Sequence, residues 1–288
     1  MRGLAELAMR GPKPAVVLSV IFACVPVIFW LSAAIVSLVI LRRGIDHGLK
    51  VLAWAILPGI AWAATGQYSV LMGLLATVSM ACVLRLTVSW EKTLLTLVPL
   101  GGLMALVFSQ LATGQVDQLA AVVMKFITSF MKQTGKSPEE LSTSLQPLVH
   151  YGVIGLMAWF NMLSCIIGLA LARSWQSWLY NPGGFRQEFH AIRLPAISCF
   201  ILLAITLVSF AVSPFMVALV PLASLPLFVA GLSLLHGLVS IGKHGSLWLI
   251  IFYVMVLFFT QIAYPAIILT ACFDSLFDFR KRAQSKTS

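Results

Sequence analysis

Arg186, Glu188, His190 and Arg193 sit close together in the polar stretch RSWQSWLYNPGGFRQEFHAIRLP, which runs from Arg173 to Pro195. Their side chains permit three chemistries. The arginines and the histidine could hold a phosphate or a carboxylate. Glu188 could pair with a neighbouring arginine and fix the segment. His190 beside Glu188 or Asp274 could move a proton during a reaction on lipid. Phosphate contact is the commonest use of such a set, with docking of a partner protein as the alternative. Trp175, Trp178 and Tyr180 match an aromatic belt at a membrane surface. Asn181-Pro182-Gly183-Gly184 reads as a turn. Arg280, in the basic C-terminal tail, is a further candidate for partner or lipid contact.

Other chemistries lack their residues. The sequence contains no G-x-x-x-x-G-K-[ST], no H-E-x-x-H and no G-x-S-x-G. The histidines form no i, i+4 pair, so a metal site has little support. The cysteines Cys24, Cys82, Cys165, Cys199 and Cys272 lie in apolar runs without a C-x-x-C, as small reduced hydrophobes do. No cofactor is expected, and no enzymatic activity. The carboxylates fall in loops, tails or helix ends, whereas ion-coupled carriers place ionisable groups at mid-membrane depth. An autonomous ion-driven pump is therefore not the expectation.

A second set of polar residues interrupts the apolar runs: Gln110, His150, Tyr151, Asn161, His236, Gln261 and Tyr264. An unpaired polar group in hydrocarbon costs energy, so these should face the protein interior. Helix–helix hydrogen bonding is the plain role for each. Asn161, Gln261 and Tyr264 lie deepest in their runs and are the candidates for lining a small-molecule cavity.

The elements that position both sets are membrane spans. Hydrophobic residues make up 60% of the chain and charged residues 10%, against about 25% charged in a soluble domain. Several runs exceed the ~18 apolar residues of a spanning helix, and they are continuous rather than alternating. The expected fold is all-α, a polytopic transmembrane helical bundle of about eight spans with one amphipathic interfacial helix. The net charge of +10 belongs to loops and tails that meet anionic lipid, and no basic soluble domain is present to bind nucleic acid.

In order, residues 1–14 form a basic tail. Ala15 to Leu41 is one span kinked at Pro26, or a helix–break–helix. Lys50 to Leu84 divides at Thr65-Gly66-Gln67 into a hairpin of two spans. Thr93 to Leu111 is the fourth, with Gly101, Gly102 and Ala105 for close packing. The insertion 112–146 carries an amphipathic helix from Val116 to Lys132, its apolar stripe made by Leu119, Val122, Val123, Phe126, Ile127 and Phe130. Ser137 to Glu140 has capping-box order. Pro147 to Ala172 is the fifth span, with a Ser164, Gly168 and Ala172 seam. After the 173–195 loop come Leu194 to Val212, Pro214 to Ser240, the basic turn Gly242-Lys243-His244-Gly245, and Ser246 to Cys272 interrupted by Pro265. Residues 274–288 are a basic tail.

The positive-inside rule puts the basic connections in the cytoplasm. Eight simple crossings would then leave both basic tails outside. The conflict disappears if the segments around Pro26 and Pro265 do not cross simply.

Two stretches carry a likeness. PGGFRQEFHAIRLP (Pro182 to Pro195) and FDFRKR (Phe277 to Arg282), together with Leu41-Arg42-Arg43-Gly44 and His47-Gly48, resemble the YybS-like family of bacterial membrane proteins. The order of spans agrees, so the likeness covers nearly the whole chain. It implies a multi-pass protein of the bacterial inner membrane with no established activity. The family's helical arrangement has been compared with the substrate-capturing subunits of energy-coupling-factor transporters. Those use an A-x-x-x-A near the N-terminal helix, which the first span here lacks. The expected role is a non-enzymatic, transporter-type membrane subunit binding a solute or lipid. The alternative is a scaffold that docks other membrane proteins or anionic lipid through its basic loops.

Overall fold

The computed structural model describes residues 2–133, 138–242 and 245–287, leaving aside the side chains of 138–144, 246, 286 and 287. Lipid offers no hydrogen bonds to the backbone, so an apolar chain can satisfy its amides there only in helices or closed barrels. This chain takes the helical solution, with no strand among the described residues. Seven helices are long and apolar enough to cross a membrane, or eight if one bent pair counts as a span. The outside is as apolar as the inside. Ile197, Leu257 and Phe258 are 75%, 74% and 75% exposed, a surface that suits oil and not water.

Contacts between the helices fix their directions. α1 (Arg2–Met9) and α2 (Pro12–Ala23) precede a break at Cys24, a 3-10 turn at Pro26–Ile28, and α3 (Phe29–Arg43). Arg43 Nη2 donates to the Met9 carbonyl at 2.6 Å, so α3 returns to where α2 began. α4 (Ile45–Ala64) then runs alongside α2, and Trp62 Nε1 donates to the Cys24 carbonyl at 3.1 Å. The first apolar run is therefore a hairpin of two helices, not one kinked span. Pro26 cannot donate to a helix interior and sits at the reversal.

α5 (Ser69–Thr87), α6 (Trp90–Leu95) and α7 (Leu97–Leu111) follow, and Gln115 Nε2 ties the end of α7 to the Gly66 carbonyl at 3.1 Å. α8 (Thr113–Gln133) folds back on α9 (Pro138–Tyr180), where Asp117 lies 3.4 Å from His150. At 1.5 Å per residue α9 is about 64 Å long, twice the ~30 Å hydrocarbon core. α10 (Gly184–Ala191) meets α11 (Ala196–Val212) at 66° and lies across the end of the bundle. α12 (Leu219–Ile241), α13 (Ser246–Phe258), α14 (Thr260–Phe277) and α15 (Phe279–Thr287) complete the chain.

α13 and α14 form a second reversal. α14 runs in the direction of α12, for Ser224 faces Tyr264 and the end of α12 faces Arg280. The turn falls at Phe259, not at Pro265, which is accommodated inside α14. Both tails consequently reach the end of the bundle that holds the Arg42–Lys50, Arg85–Lys92 and Arg173–Arg193 connections. Among the described cationic residues, only Lys125 and Lys132 belong to the opposite end.

Three expected features change form. The 173–195 segment is not a loop, because α9 continues through Tyr180 and α10 follows the turn at Asn181. Trp175 is fully buried rather than in an interface belt, while Trp178 and Tyr180 are exposed. The α8 stripe faces outward: Leu119, Val122, Val123, Phe126 and Phe130 are exposed, and α8 buries Val116 and Met131 instead. The capping box at Ser137 and the Lys243-His244 turn lie outside the described residues.

Small residues set the packing. A Cβ at Gly231 would lie 2.4 Å from the Ile267 carbonyl oxygen, and one at Gly155 2.5 Å from that of Ala218. Gly168 meets the Trp30 carbonyl and Gly101 meets Leu222, as the two seams require. Gly231→Ala should cost about 1–3 kcal/mol, because backbone cannot yield as a side chain can. Gly152→Ala, with open space around its Cβ, should cost nothing. Thermal unfolding midpoints of the two variants in one detergent check this.

Candidate functional site

Helix ends leave carbonyls without partners, and at the basic end arginines supply them. Arg85 Nη1 donates to the carbonyls of Ile40 and Leu41 at 2.9 and 2.7 Å, closing the end of α3. Gln176 Nε2 adds a bond to Leu41 at 3.2 Å. Arg42 lies 4.0 Å over the Tyr180 ring. These contacts explain why the end of α3 is dense in positive charge yet well ordered by neighbours on α5 and α9.

Glu188 is the hub of α10. It accepts from Arg173 Nε at 2.8 Å and from Arg173 Nη2, and from Trp90 Nε1 at 3.2 Å. Three elements, α6, α9 and α10, meet at this one carboxylate. Burial works to raise the Glu188 pKa, but hydrogen bonds from Arg173 and Trp90 and the Arg173 charge outweigh it. The carboxyl is held below its ordinary range. Glu188 is thus a structural anchor and not a free acid.

Arg193 and Arg280 form a reciprocal clamp between the α10–α11 corner and the C-terminus. Arg193 donates to Asp278 at 2.9 Å and to the carbonyls of Asp274 and Ser275 at 3.1 and 3.0 Å, capping α14. Arg280 donates to Asp274 at 3.1 Å, to the Ile192 carbonyl at 2.8 Å and to Ser233 Oγ at 3.0 Å. Asp274 also accepts from the Phe279 amide at 2.9 Å, which starts α15. The side chains of Arg280 and Asp274 are only 11% and 4% exposed, so neither charge has water as a substitute partner.

Arg186 and His190 are left over. Both line a cleft of about 560 Å³ between α10, α12 and α13, with Phe185 and Phe189 on one wall and Val239 and Leu249 on the other. Arg186 makes one long hydrogen bond, 3.4 Å to Ser240. The His190 ring, without a hydrogen-bond partner among the described residues, lies 6.2 Å from that of His236. His236 Nε2 meets Tyr253 Oη at 2.7 Å. Burial lowers the His190 pKa, and positive charge from Arg186, His236 and Arg280 lowers it further. The cleft presents a fixed cation and a second group that can become one, in front of apolar walls.

The other candidates do not converge. Asn161 donates to the Ser69 carbonyl at 3.2 Å and accepts from Cys165, holding α9 to α5. Tyr264 accepts from Trp159 at 3.2 Å, meets Ser224 at 2.6 Å and stacks on Phe228. Gln261 is exposed at the start of α14. Two of the three are occupied by helix–helix contacts and the third faces outward, so they do not share a cavity. His236 is among the polar residues that interrupt the apolar runs, but no local spacing joins it to His190. Trp90, Gln176 and Ser233 gave no signal, because their partners come from helices distant in sequence.

Breaking a buried ion pair from one side strands a charge and costs about 3–5 kcal/mol. Arg280→Gln and Asp274→Asn should each show that loss in thermal unfolding. The double variant should lose less than the sum, since it leaves no uncompensated charge. Comparison with protein-family models, curated proteins and solved structures finds no match for this chain.

Proposed function

We propose that this multi-pass membrane protein is a transporter-type binding subunit, not an enzyme, which takes an anionic amphiphile into the cleft between α10, α12 and α13. Energy for any movement of the ligand comes from elsewhere. The observation that carries the reading is the cleft's composition: Arg186 and His190 are the two basic groups of α10 not consumed by structural pairing, and both line apolar walls. α13 gives the cleft a side entrance. None of its residues from 247 to 258 is buried, so it is held to the bundle only loosely. We further propose membership of the YybS-like family and a place in a bacterial inner membrane. The positive-inside rule supports a cytoplasmic basic end.

The scaffold reading rests on a different observation, the exposed Leu119, Val122, Phe126 and Phe130 of α8. A photo-crosslinker at Phe126 that captures lipid alone would remove it.

Decyl phosphate binding to the protein in neutral-lipid nanodiscs tests the cleft. Arg186→Gln should weaken binding about tenfold, the worth of one charge-assisted hydrogen bond. Binding should also depend on pH. The depressed His190 pKa leaves the ring neutral at pH 7, and an anion nearby favours its protonation. Affinity therefore rises as pH falls and the ring gains its proton, and His190→Asn flattens that rise. Equal affinity of the wild type and the Arg186→Gln/His190→Asn variant, or no binding at all, would reject the proposal.

A further inference from the structure

The N-terminal hairpin holds a second groove, remote from the α10 cleft and independent of it. It lies on the seam between α2 and α4. At the basic end a space of about 490 Å³ is lined by Lys13, Arg43, His47 and Lys50 over the apolar Val16 and Val39. No carboxylate lines it. Of the two acids nearest in sequence, Glu6 is paired with Arg2 at 3.0 Å, and Asp46 is not among the residues that line the groove. Arg43 uses one N–H on the Met9 carbonyl and has others to offer.

The seam does not end there. Trp54 lines this space and also a second one of about 400 Å³, which continues past Leu57 to Val20 and Ala61. The Trp62–Cys24 hydrogen bond lies at its far limit. From His47 to Ala61 the groove follows α4 for about 21 Å at 1.5 Å per residue. One leaflet of hydrocarbon is about 15 Å deep, half of the ~30 Å core. A cluster of cations at the headgroup level thus opens into an apolar channel at least one leaflet long.

We propose that this groove binds one anionic phospholipid, its phosphate among Lys13, Arg43, His47 and Lys50 and one acyl chain along the α2–α4 seam past Trp54. Charge selects the headgroup, because four basic side chains with no acid among them attract an anion and repel nothing in it. Length selects the chain. The bound lipid completes the outer side of a hairpin whose first helix, at 12 residues, is too short to span the core alone.

Native mass spectrometry of the full chain in a neutral detergent tests this with three probes: phosphatidylglycerol, phosphatidylcholine of the same chains, and inorganic phosphate. One phosphatidylglycerol should be retained at least tenfold more tightly than phosphatidylcholine. Lys13→Gln/Lys50→Gln should weaken it about thirtyfold, and each single change about fivefold. Lys13→Arg/Lys50→Arg should keep it. Ala61→Trp, which fills the far part of the groove, should weaken the long-chain lipid but spare dihexanoyl phosphatidylglycerol. Equal retention of the two long-chain lipids would overturn the proposal, as would wild-type affinity in Lys13→Gln/Lys50→Gln. Inorganic phosphate displacing the lipid at equal concentration would overturn it too, because the chain would then contribute nothing. If the double variant does not fold, the single variants and Ala61→Trp decide.

Discussion

A charge in hydrocarbon must find a partner or leave, and this chain sends most of its described charges to one end. The remaining architecture follows from that constraint. Arginines gathered at the basic end meet the carbonyls that helix termini leave open, so Arg85 closes α3, Arg193 closes α14 and Arg280 closes α10. The carboxylates that accompany them, Glu188, Asp274 and Asp278, are spent on holding those arginines in place. Basic groups that these ion pairs do not use, Arg186, His190, Lys13 and Lys50, border grooves made by apolar side chains.

The two grooves share a plan. Each lies beside a helix too short to span a bilayer straight, α2 or α13, and each sets basic groups against apolar walls. The reversals that create the short helices also return both chain ends to the basic face. Asn161 and Tyr264 are satisfied by neighbouring helices, and Gly155, Gly168 and Gly231 bring backbones into contact. The proposed binding sites therefore lie at the edges of the bundle rather than among its long helices.

Much of this was legible in the sequence because oil constrains a chain so tightly. Hydropathy marked the long spans, the small-residue seams marked Gly101 and Gly168, and the clustering of Arg186, Glu188, His190 and Arg193 marked the region where the α10 cleft forms. The conflict between eight crossings and two basic tails pointed to reversals near the ends. One of them was placed at Pro265, whereas the turn occurs at Phe259. A proline can stay inside a helix when neighbours tolerate the bend, so its presence did not locate the break. The sorting of the basic residues into structural and free was not legible. It depends on which of Trp90, Asp274 and Ser233 arrives from elsewhere in the chain, and those separations exceed any local pattern. The same holds for the N-terminal groove, since Lys13 and Lys50 become neighbours only through the hairpin at Pro26.

The sidedness of the chain ends tests the account most directly. Single cysteines placed at Arg10, Ser89 and Ser285, in a background without the native ones, can be labelled in sealed vesicles with a membrane-impermeant maleimide. All three should react from the same side, and cysteines at Gln67 and Ser213 only from the other. Labelling of Arg10 or Ser285 positions together with Gln67 would mean that the terminal segments cross singly. The shared basic end, and both grooves built on it, would then be contradicted.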